Sequence, residues 1–356
     1  MRLSIRLLII VAFTLLLSSP TLVNKGLADN GPAHRVRNMN FGVSGGNVND
    51  RTNRFCCSGT LGALLQDESG IFYILSNNHV LARSDQAGPG EDISQPGLID
   101  NNCQIPTIVA DFTLAPELEP SNVDAAIAQL RPGAMDTTGE IQDIGIPSSI
   151  VAAPGVGMSV VKSGRTTGFT TGTINSINTT VNVQYTARCG GGKKFTVNYT
   201  GQVVIGPGNF SAGGDSGSLI VTNDQSHHPV ALLYAGSSTT TIGNPASQVL
   251  TQLSAALGSP VSFVGTGSAS IFDSLASNSQ IQQEMESANQ VKMRHEREFM
   301  LLPGVIGVGV GMADDGSGDP AVVVYIDQTM GRFPPLPGHI ENVKVRGVRT
   351  DPFVAR

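Results

Sequence analysis

A glycine-rich turn around Ser216 holds the first side chain in this sequence that could do covalent chemistry. The run from Phe210 to Ile220 reads Phe-Ser-Ala-Gly-Gly-Asp-Ser-Gly-Ser-Leu-Ile, and its apolar end is typical of a buried strand. Glycines on both sides of a serine allow a tight bend, and they let neighbouring backbone N–H groups point into one small space, as a developing oxyanion requires. Gly, Ser and Asp are also ordinary turn residues, so a nucleophile is indicated only if the chain supplies a base and an orienting acid.

A candidate base and a candidate acid both precede the serine. His79 follows the apolar segment Ile71–Leu75 in the short polar stretch Ser-Asn-Asn-His, and Asp124 opens the apolar run that continues to Leu130. A lone histidine is more often structural, and a carboxylate at a strand edge is often a cap. A buried aspartate nevertheless needs a partner for its charge, and an imidazole N–H would be one.

These three motifs resemble the chymotrypsin-like (trypsin-like) serine proteases. Asp124 lies 45 residues after His79, and Ser216 lies 92 residues after Asp124, so the order is His, Asp, Ser. The resemblance covers about residues 41–257. Wider phrases resemble a bacterial branch near the plant narrow-leaf trypsin-like proteases: Cys57-Ser-Gly-Thr-Leu-Gly-Ala, Ser76-Asn-Asn-His-Val-Leu-Ala, Lys162-Ser-Gly-Arg-Thr-Thr-Gly and Leu233-Tyr-Ala-Gly-Ser.

The resemblance implies a fold and a set of roles. It implies two six-stranded antiparallel β-barrels with the site between them. Ser216 would be the nucleophile and His79 the general base and then acid, while Asp124 would fix the histidine tautomer. The backbone N–H groups of Gly214 and Ser216 would form the oxyanion hole.

The resemblance also points to a substrate pocket. Its floor corresponds to Phe210 and its wall to Tyr234, Ala235 and Gly236. No carboxylate stands at the floor, so we expect an apolar or small side chain in preference to Lys or Arg. Phe210 is equally compatible with a core position, which would leave the floor elsewhere.

The aspartate before the nucleophile raises a question of maturation. Zymogens of the family often pair this residue, here Asp215, with a newly freed N-terminus. Phe41-Gly-Val-Ser only loosely matches the usual start, and Arg35 and Arg37 are the visible processing sites. The alternative is that Asp215 is satisfied inside the fold.

Composition favours an all-β core. The chain has 356 residues with 42 glycines and 20 prolines, and 14% of its residues are charged, which favours short strands and many turns. The net charge of −6 and the absence of a long basic run argue against a nucleic-acid partner. We expect a protein or peptide substrate and no cofactor.

The sequence divides into five parts. Residues 1–28 are typical of a signal peptide, with Arg2 and Arg6 before an apolar core too short for a membrane span, so we expect a secreted or periplasmic protein without stable membrane insertion. An uncleaved anchor is the alternative. Residues 29–40 form a flexible leader, and 41–258 the protease domain, with barrels at about 41–150 and 151–258. A linker and helix follow at 259–302, then a small α+β appendage at 303–356.

Export would place the four cysteines in a compartment where disulfides persist. A bond between neighbours Cys56 and Cys57 would be strained, so we expect each to pair with Cys103 or Cys189. Which cysteine joins which stays open at this point.

Two other functions are compatible with parts of the sequence. A catalytically silent binding or adhesion module could use the same scaffold, because a fold does not guarantee its chemistry. A metal hydrolase using His227, His228 and Asp224 is weaker, because adjacent histidines project in different directions. We therefore expect no metal site and favour an exported serine endopeptidase that forms an acyl-enzyme.

Overall fold

The computed structural model describes residues 32–267, 279–331 and 333–355. The predicted signal peptide lies outside these ranges, as do the start of the leader and the segment 271–276. Within them, no helix is long and apolar enough to span a membrane.

The first sheet carries His79 and Asp124. Its neighbouring strands are all antiparallel, in the spatial order β14-β3-β4-β7-β6-β5-β1-β2. Within the described ranges its strands are β1 (Val43–Asn47), β2 (Gly59–Leu61), β3 (Ala63–Asp67), β4 (Phe72–Ser76), β5 (Asp92–Gln95), β6 (Thr107–Leu114), β7 (Ala126–Leu130) and β14 (Val261–Phe263). The predicted hairpin that leads to His79 is the pair β3 and β4.

One glycine separates β2 from β3 and brings the first sheet against the nucleophile turn. A Cβ on Gly62 would lie 1.8 Å from the carbonyl oxygen of Gly217, so only glycine permits this approach. Gly217 has φ +95°, and a Cβ there would lie 2.2 Å from the Thr60 carbonyl oxygen. The two backbones therefore meet where neither carries a side chain.

The second sheet carries Ser216 and continues into the C-terminal segment. In the described part of the chain its strands are β8 (Ser159–Lys162), β9 (Thr170–Arg188), β10 (Gly191–Gly206), β11 (Leu219–Thr222), β12 (Pro229–Gly236), β13 (Thr241–Pro245), β15 (Val305–Met312), β16 (Pro320–Asp327), β17 (His339–Ile340), β18 (Val343–Thr350) and β19 (Phe353–Ala355). Its main order is β10-β13-β12-β11-β8-β9-β15-β16-β18-β17. Most pairs are antiparallel, whereas β16 pairs with β18, and β9 with β19, in parallel.

The helices are few and lie outside the sheets. A single turn, α1, spans Leu118–Ser121, while α2 spans Ala246–Leu257 and α3 spans Ser279–Met300. The sequence predicted a helix within residues 259–302, where α3 lies. Val291 and Phe299 are buried in a cluster with Val305 and Val324, so one face of α3 packs on β15 and β16.

The C-terminal strands extend the second sheet, because β15 pairs with β9 from Gly307 to Gly311. The glycines on β15 allow close packing there, since a Cβ on Gly309 would lie 2.3 Å from Thr179 Oγ1. The prediction of a mainly β fold with a later helix is confirmed, with two sheets as its frame.

Candidate active site

His79 sits in a single helical turn, Asn78–Ala82, directly after β4. The turn is anchored to Asp124 at three points. Asn77 donates from its side chain to the Asp124 carbonyl at 2.6 Å, and the His79 backbone N–H donates to Asp124 Oδ1 at 3.1 Å. His79 Nδ1 lies 2.6 Å from Asp124 Oδ2. The structure therefore brings together the two side chains that the sequence placed 45 residues apart.

Asp124 is fully buried, and its carboxylate is satisfied by hydrogen-bond donors. Besides His79, the Tyr185 hydroxyl donates to Oδ2 at 2.8 Å, and it lies 2.9 Å from the Tyr199 hydroxyl. The Asp124 N–H donates to Asn244 Oδ1 at 2.9 Å. These contacts compensate a charge that burial would otherwise make costly.

The two tyrosines are functional candidates that sequence reasoning missed. Burial, reinforced by the charge of Asp124, raises the pKa of Tyr185 well above its usual value. Burial and the same charge raise the pKa of Tyr199. Both hydroxyls therefore stay protonated, which leaves Tyr185 able to donate to Asp124. A signal was present, because Val181, Val183 and Tyr185 alternate along one face of β9.

Ser216 lies in a turn that is bonded to both sheets. Its carbonyl accepts from the Thr60 N–H at 2.8 Å, and the next residue, Gly217, donates to the Leu233 carbonyl at 2.9 Å. The Ser216 hydroxyl donates to the Tyr234 carbonyl at 3.3 Å. The candidate nucleophile is thus fixed between β2 and β12, with its side chain fully buried.

The two N–H groups proposed for an oxyanion hole are not used by the turn itself. Among the described residues, the N–H groups of Gly213, Gly214 and Ser216 have no acceptor, whereas those of Asp215, Gly217 and Ser218 donate to backbone carbonyls. Gly214 has φ +98°, and a Cβ there would lie 2.5 Å from Arg165 and Thr166, so the position requires glycine.

A cavity of about 400 Å³ joins these parts. His79 lies on one wall and Gly213 and Gly214 on another. The remaining wall residues include Asp50, Cys57, Arg83, Arg165, Gln184, Tyr185, Arg188, Cys189, Lys194, Val354 and Ala355. The base and the glycines of the turn therefore face one shared space, large enough for part of an extended peptide.

Asp215 is satisfied inside the fold. Its carboxylate accepts from the backbone N–H groups of Thr166, Thr167 and Ala212 and from the Thr167 hydroxyl at 2.7–3.1 Å. The fully buried Lys162 ammonium lies 3.7 Å away. The sequence left open whether Asp215 pairs with a newly freed N-terminus or is satisfied inside the fold. The structure shows the second arrangement.

Burial lowers the pKa of Lys162 to about 8, against the attraction of Asp215, which raises it. The lysine also donates to the Gly168 carbonyl at 2.9 Å. Sequence reasoning missed this cation, because a lysine at the end of a strand is usually a surface residue.

The side chains suggested for the substrate pocket lie in the core. Phe210 is fully buried among residues such as Val160 and Ile205, while Tyr234 and Ala235 are fully buried in a neighbouring cluster. None of the three lines the cavity beside His79. The sequence was compatible with Phe210 either as the floor of the substrate pocket or as a core residue, and its packing is that of a core residue.

The residues considered for a metal hydrolase do not converge. His227 Nδ1 lies 3.2 Å from the Thr222 carbonyl, His228 Nδ1 lies 2.9 Å from the Ile150 carbonyl, and Asp224 accepts from backbone N–H groups. In the described ranges, the one group of three possible ligands is Asp50 with Cys57 and Cys189, and both of these sulfurs are in a disulfide.

Asp50 is a further charged group in the cavity. Its burial raises the pKa to about 6, although the charges of His79 and Arg83 oppose the rise. Sequence reasoning missed Asp50, because it stands in a polar turn outside the three motifs.

The prediction that Cys56 and Cys57 each pair with Cys103 or Cys189 is confirmed. Cys56 pairs with Cys103, and Cys57 pairs with Cys189. The second bond joins Cys57, two residues before β2, to the tip of the hairpin of β9 and β10, and both of its cysteines line the cavity. It therefore links the two walls of the cavity covalently.

Comparison with known proteins gives a partial family match and distant structural neighbours. A family model described as the Nal1 C-terminal domain matches residues 107–245. A search of curated proteins finds no match. Among solved structures, a glutamic-acid-specific serine protease has 20% identity and a TM-score of 0.44, covering 63% of this chain and 98% of that one.

Two further neighbours are Thermobifida fusca protease A and a Cellulomonas bogoriensis chymotrypsin. They have 18% and 16% identity and TM-scores of 0.41, and each covers 65% of this chain and is itself covered completely. These neighbours are chymotrypsin-like serine proteases.

Proposed function

We propose that this chain is an exported serine endopeptidase that hydrolyses peptide bonds through an acyl-enzyme. The observation that carries the proposal is the 2.6 Å contact between His79 Nδ1 and a buried Asp124, on the wall of a cavity shared with the glycines beside Ser216. A buried His–Asp pair at the edge of a cavity is a costly arrangement, and general base catalysis is a function that requires it.

The chemistry assigns one role to each group. Asp124 accepts a hydrogen bond from the Nδ1–H of His79, which leaves Nε2 unprotonated and able to act as the base. The Ser216 oxygen attacks the scissile carbonyl carbon and passes its proton to His79, and the N–H groups of Gly214 and Ser216 bind the resulting oxyanion. Collapse breaks the C–N bond, His79 returns the proton to the leaving amine, and water then releases the acyl group by the same steps.

The proposal includes two six-stranded barrels. Residues 151–258 contribute six strands to the second sheet, β8 to β13. In the first sheet β2 and β3 flank Gly62 and pair with β1 and β4 respectively, so they act as one bent strand. Together with β1, β4, β5, β6 and β7 that bent strand also makes six.

Export and the bacterial branch near the narrow-leaf proteases are part of the same proposal. Two disulfides support an oxidising compartment, because such bonds are rare in the cytosol. For the substrate, we retain the preference for an apolar or small side chain next to the cleaved bond, with the backbone of Tyr234, Ala235 and Gly236 forming the pocket wall.

The test is labelling with a fluorophosphonate, which reacts with an activated serine. We expect covalent labelling of Ser216, its loss in S216A and H79A, and its retention in S84A, since Ser84 lines the cavity but has no base assigned to it. Cleavage of casein or of peptide libraries should follow the same pattern. A folded protein that neither labels nor cleaves, and that S216A leaves unchanged, would favour the silent binding module.

A further inference from the structure

The short strand β19 occupies a groove in the second sheet. It pairs antiparallel with the end of β12, placing Ala355 opposite Ala235 and Val354 opposite Gly236. On its other side it runs parallel to β9, with Phe353 opposite Val183. Residues 353–355 therefore lie between two strands that belong to residues 151–258.

The segment is held there by a buried ring. Phe353 is fully buried in the cluster that contains Tyr185 and Tyr234, and its ring centroid lies 5.8 Å from that of Tyr325. Burying so large an apolar side chain is favourable, so Phe353 anchors the segment. Phe353 thus fills an apolar recess within the same cluster as the tyrosine that supports Asp124.

A hydroxyl chain fixes the entry of the segment. Thr350 donates to the Ser237 hydroxyl at 2.5 Å and accepts from the Thr239 hydroxyl at 2.8 Å. Ser237 directly follows β12, so these contacts align the incoming chain with the end of that strand.

The end of β12 is where an extended peptide would have to bind to reach Ser216. The Tyr234 carbonyl accepts a hydrogen bond from the Ser216 hydroxyl, and Ala235 and Gly236 continue the strand away from it. Extended peptides bind by adding a strand to such an edge, with main-chain hydrogen bonds for affinity and side-chain recesses for specificity. Here β19 makes that addition, and Val354 and Ala355 line the cavity that contains His79.

We propose that β19 is an intramolecular occupant of the substrate-peptide groove and inhibits the endopeptidase until it is displaced. This inference rests on the proposed function. The groove takes an extended peptide backbone antiparallel to Ala235 and Gly236, with an aromatic or large apolar side chain in the recess now filled by Phe353. Because β19 is tethered, it competes with substrate for the groove at a high effective concentration, so the groove is open in few molecules.

Two variants open the groove in different ways. V354P, in the full chain, keeps Phe353 but removes the N–H of the residue opposite Gly236, and a chain ending at Asp351 removes the strand. V354T is the matched control, because the Val354 side chain is 42% exposed and threonine keeps both the β-branch and the N–H. We expect V354P and the shortened chain to raise kcat/KM for a fluorogenic peptide about tenfold or more, and V354T, which keeps the strand paired, to raise it far less than V354P does.

A peptide added in trans completes the test. Asp-Pro-Phe-Val-Ala-Arg should inhibit the shortened chain competitively, raising KM without changing kcat, whereas Asp-Pro-Phe-Pro-Ala-Arg should not. Equal fluorophosphonate labelling of Ser216 and equal peptide hydrolysis in all forms would overturn the inhibitory role and leave the protease intact. Absence of labelling in every form would overturn the proposed function, and the inhibitory role with it.

Discussion

Replacing Lys162 with methionine tests how the nucleophile turn is held. Methionine has a similar length and stays apolar, so the change removes the ammonium with little loss of packing. It leaves the carboxylate of Asp215 fully buried with the four donors supplied by Thr166, Thr167 and Ala212. The prediction is that K162M is destabilised and that its turn loses the geometry that presents Ser216.

The magnitude follows from the burial of both partners. Breaking a buried ion pair by removing one partner costs about 3–5 kcal/mol, because the other charge is left uncompensated. The Nζ to Oδ2 distance is 3.7 Å, and Asp215 keeps its four other donors. Removing the ammonium also removes the desolvation that lowers the pKa of Lys162, so we expect a loss below this range, about 1–2 kcal/mol. D215N in the K162M background removes the stranded charge, and the double variant should be more stable than the sum of the single changes by about 1–3 kcal/mol.

The assay is urea unfolding at pH 7 of the wild type, K162M, D215N and the double variant, with K193M as the control for an exposed lysine. The rate of fluorophosphonate labelling should fall in K162M and stay unchanged in K193M. If K162M unfolds within about 0.5 kcal/mol of the wild type, or if the two changes add, the lysine does not support the turn.

The lowered pKa of Lys162 predicts how the free energy of unfolding depends on pH. The sign is opposite to that expected for most lysines in ion pairs. Its pKa in the folded chain is about 8, below the usual 10.5, because burial disfavours the charge. Between these values the unfolded chain holds a proton that the folded chain has released. The wild type should therefore gain stability relative to K162M as the pH rises through this window, by roughly 3 kcal/mol at most. A constant or shrinking difference would contradict this.

Three further predictions concern the groups around the base. Y185F removes one donor to Asp124 and should lower kcat about tenfold to hundredfold with little effect on KM, since a bond to a charged group is worth about 1.5–3 kcal/mol; an unchanged kcat would rule out this role. D124N should lower kcat much further, by about 10³–10⁴, because an amide cannot hold the productive tautomer of His79; a loss no larger than in Y185F would contradict this. D50N removes a negative charge near His79, so the acid limb of the kcat/KM profile should move to lower pH; a shift to higher pH would refute it.

The sequence pointed to three candidate side chains because their signals are local. A histidine after a strongly apolar strand, an aspartate opening another strand and a serine between glycines each have a recognisable setting. Their order along the chain then linked them, and the structure places His79 against Asp124 and Gly214 on the same cavity. Whether they act together as a triad stays a prediction.

The sequence could not identify the groups that support Asp124 and Asp215, because these partners are distant from each other in the chain. The Tyr185 hydroxyl reaches Asp124 across 61 residues, and Lys162 reaches Asp215 from the end of β8. A residue type alone says little in such cases, since the same lysine on an exposed strand would be solvated.

Strand pairing limited the prediction of the fold in the same way. The sequence predicted a small α+β appendage at 303–356, but the edge that its strands join is set by β9, more than a hundred residues earlier. The composition favoured short strands, and the polar stretches rich in threonine and asparagine in β9 and β10 concealed that these are two long strands of one hairpin.

The bond between Cys57 and Cys189 has a consequence for handling the protein. It ties the residues just before β2 to the turn between β9 and β10, so a cut in the segment from 131 to 158 leaves the two sides of the cut covalently joined. A single nick in that segment would leave one molecule of unchanged mass on a non-reducing gel, and two fragments would separate only after treatment with a thiol. Purified material can therefore look whole while its chain is already cut.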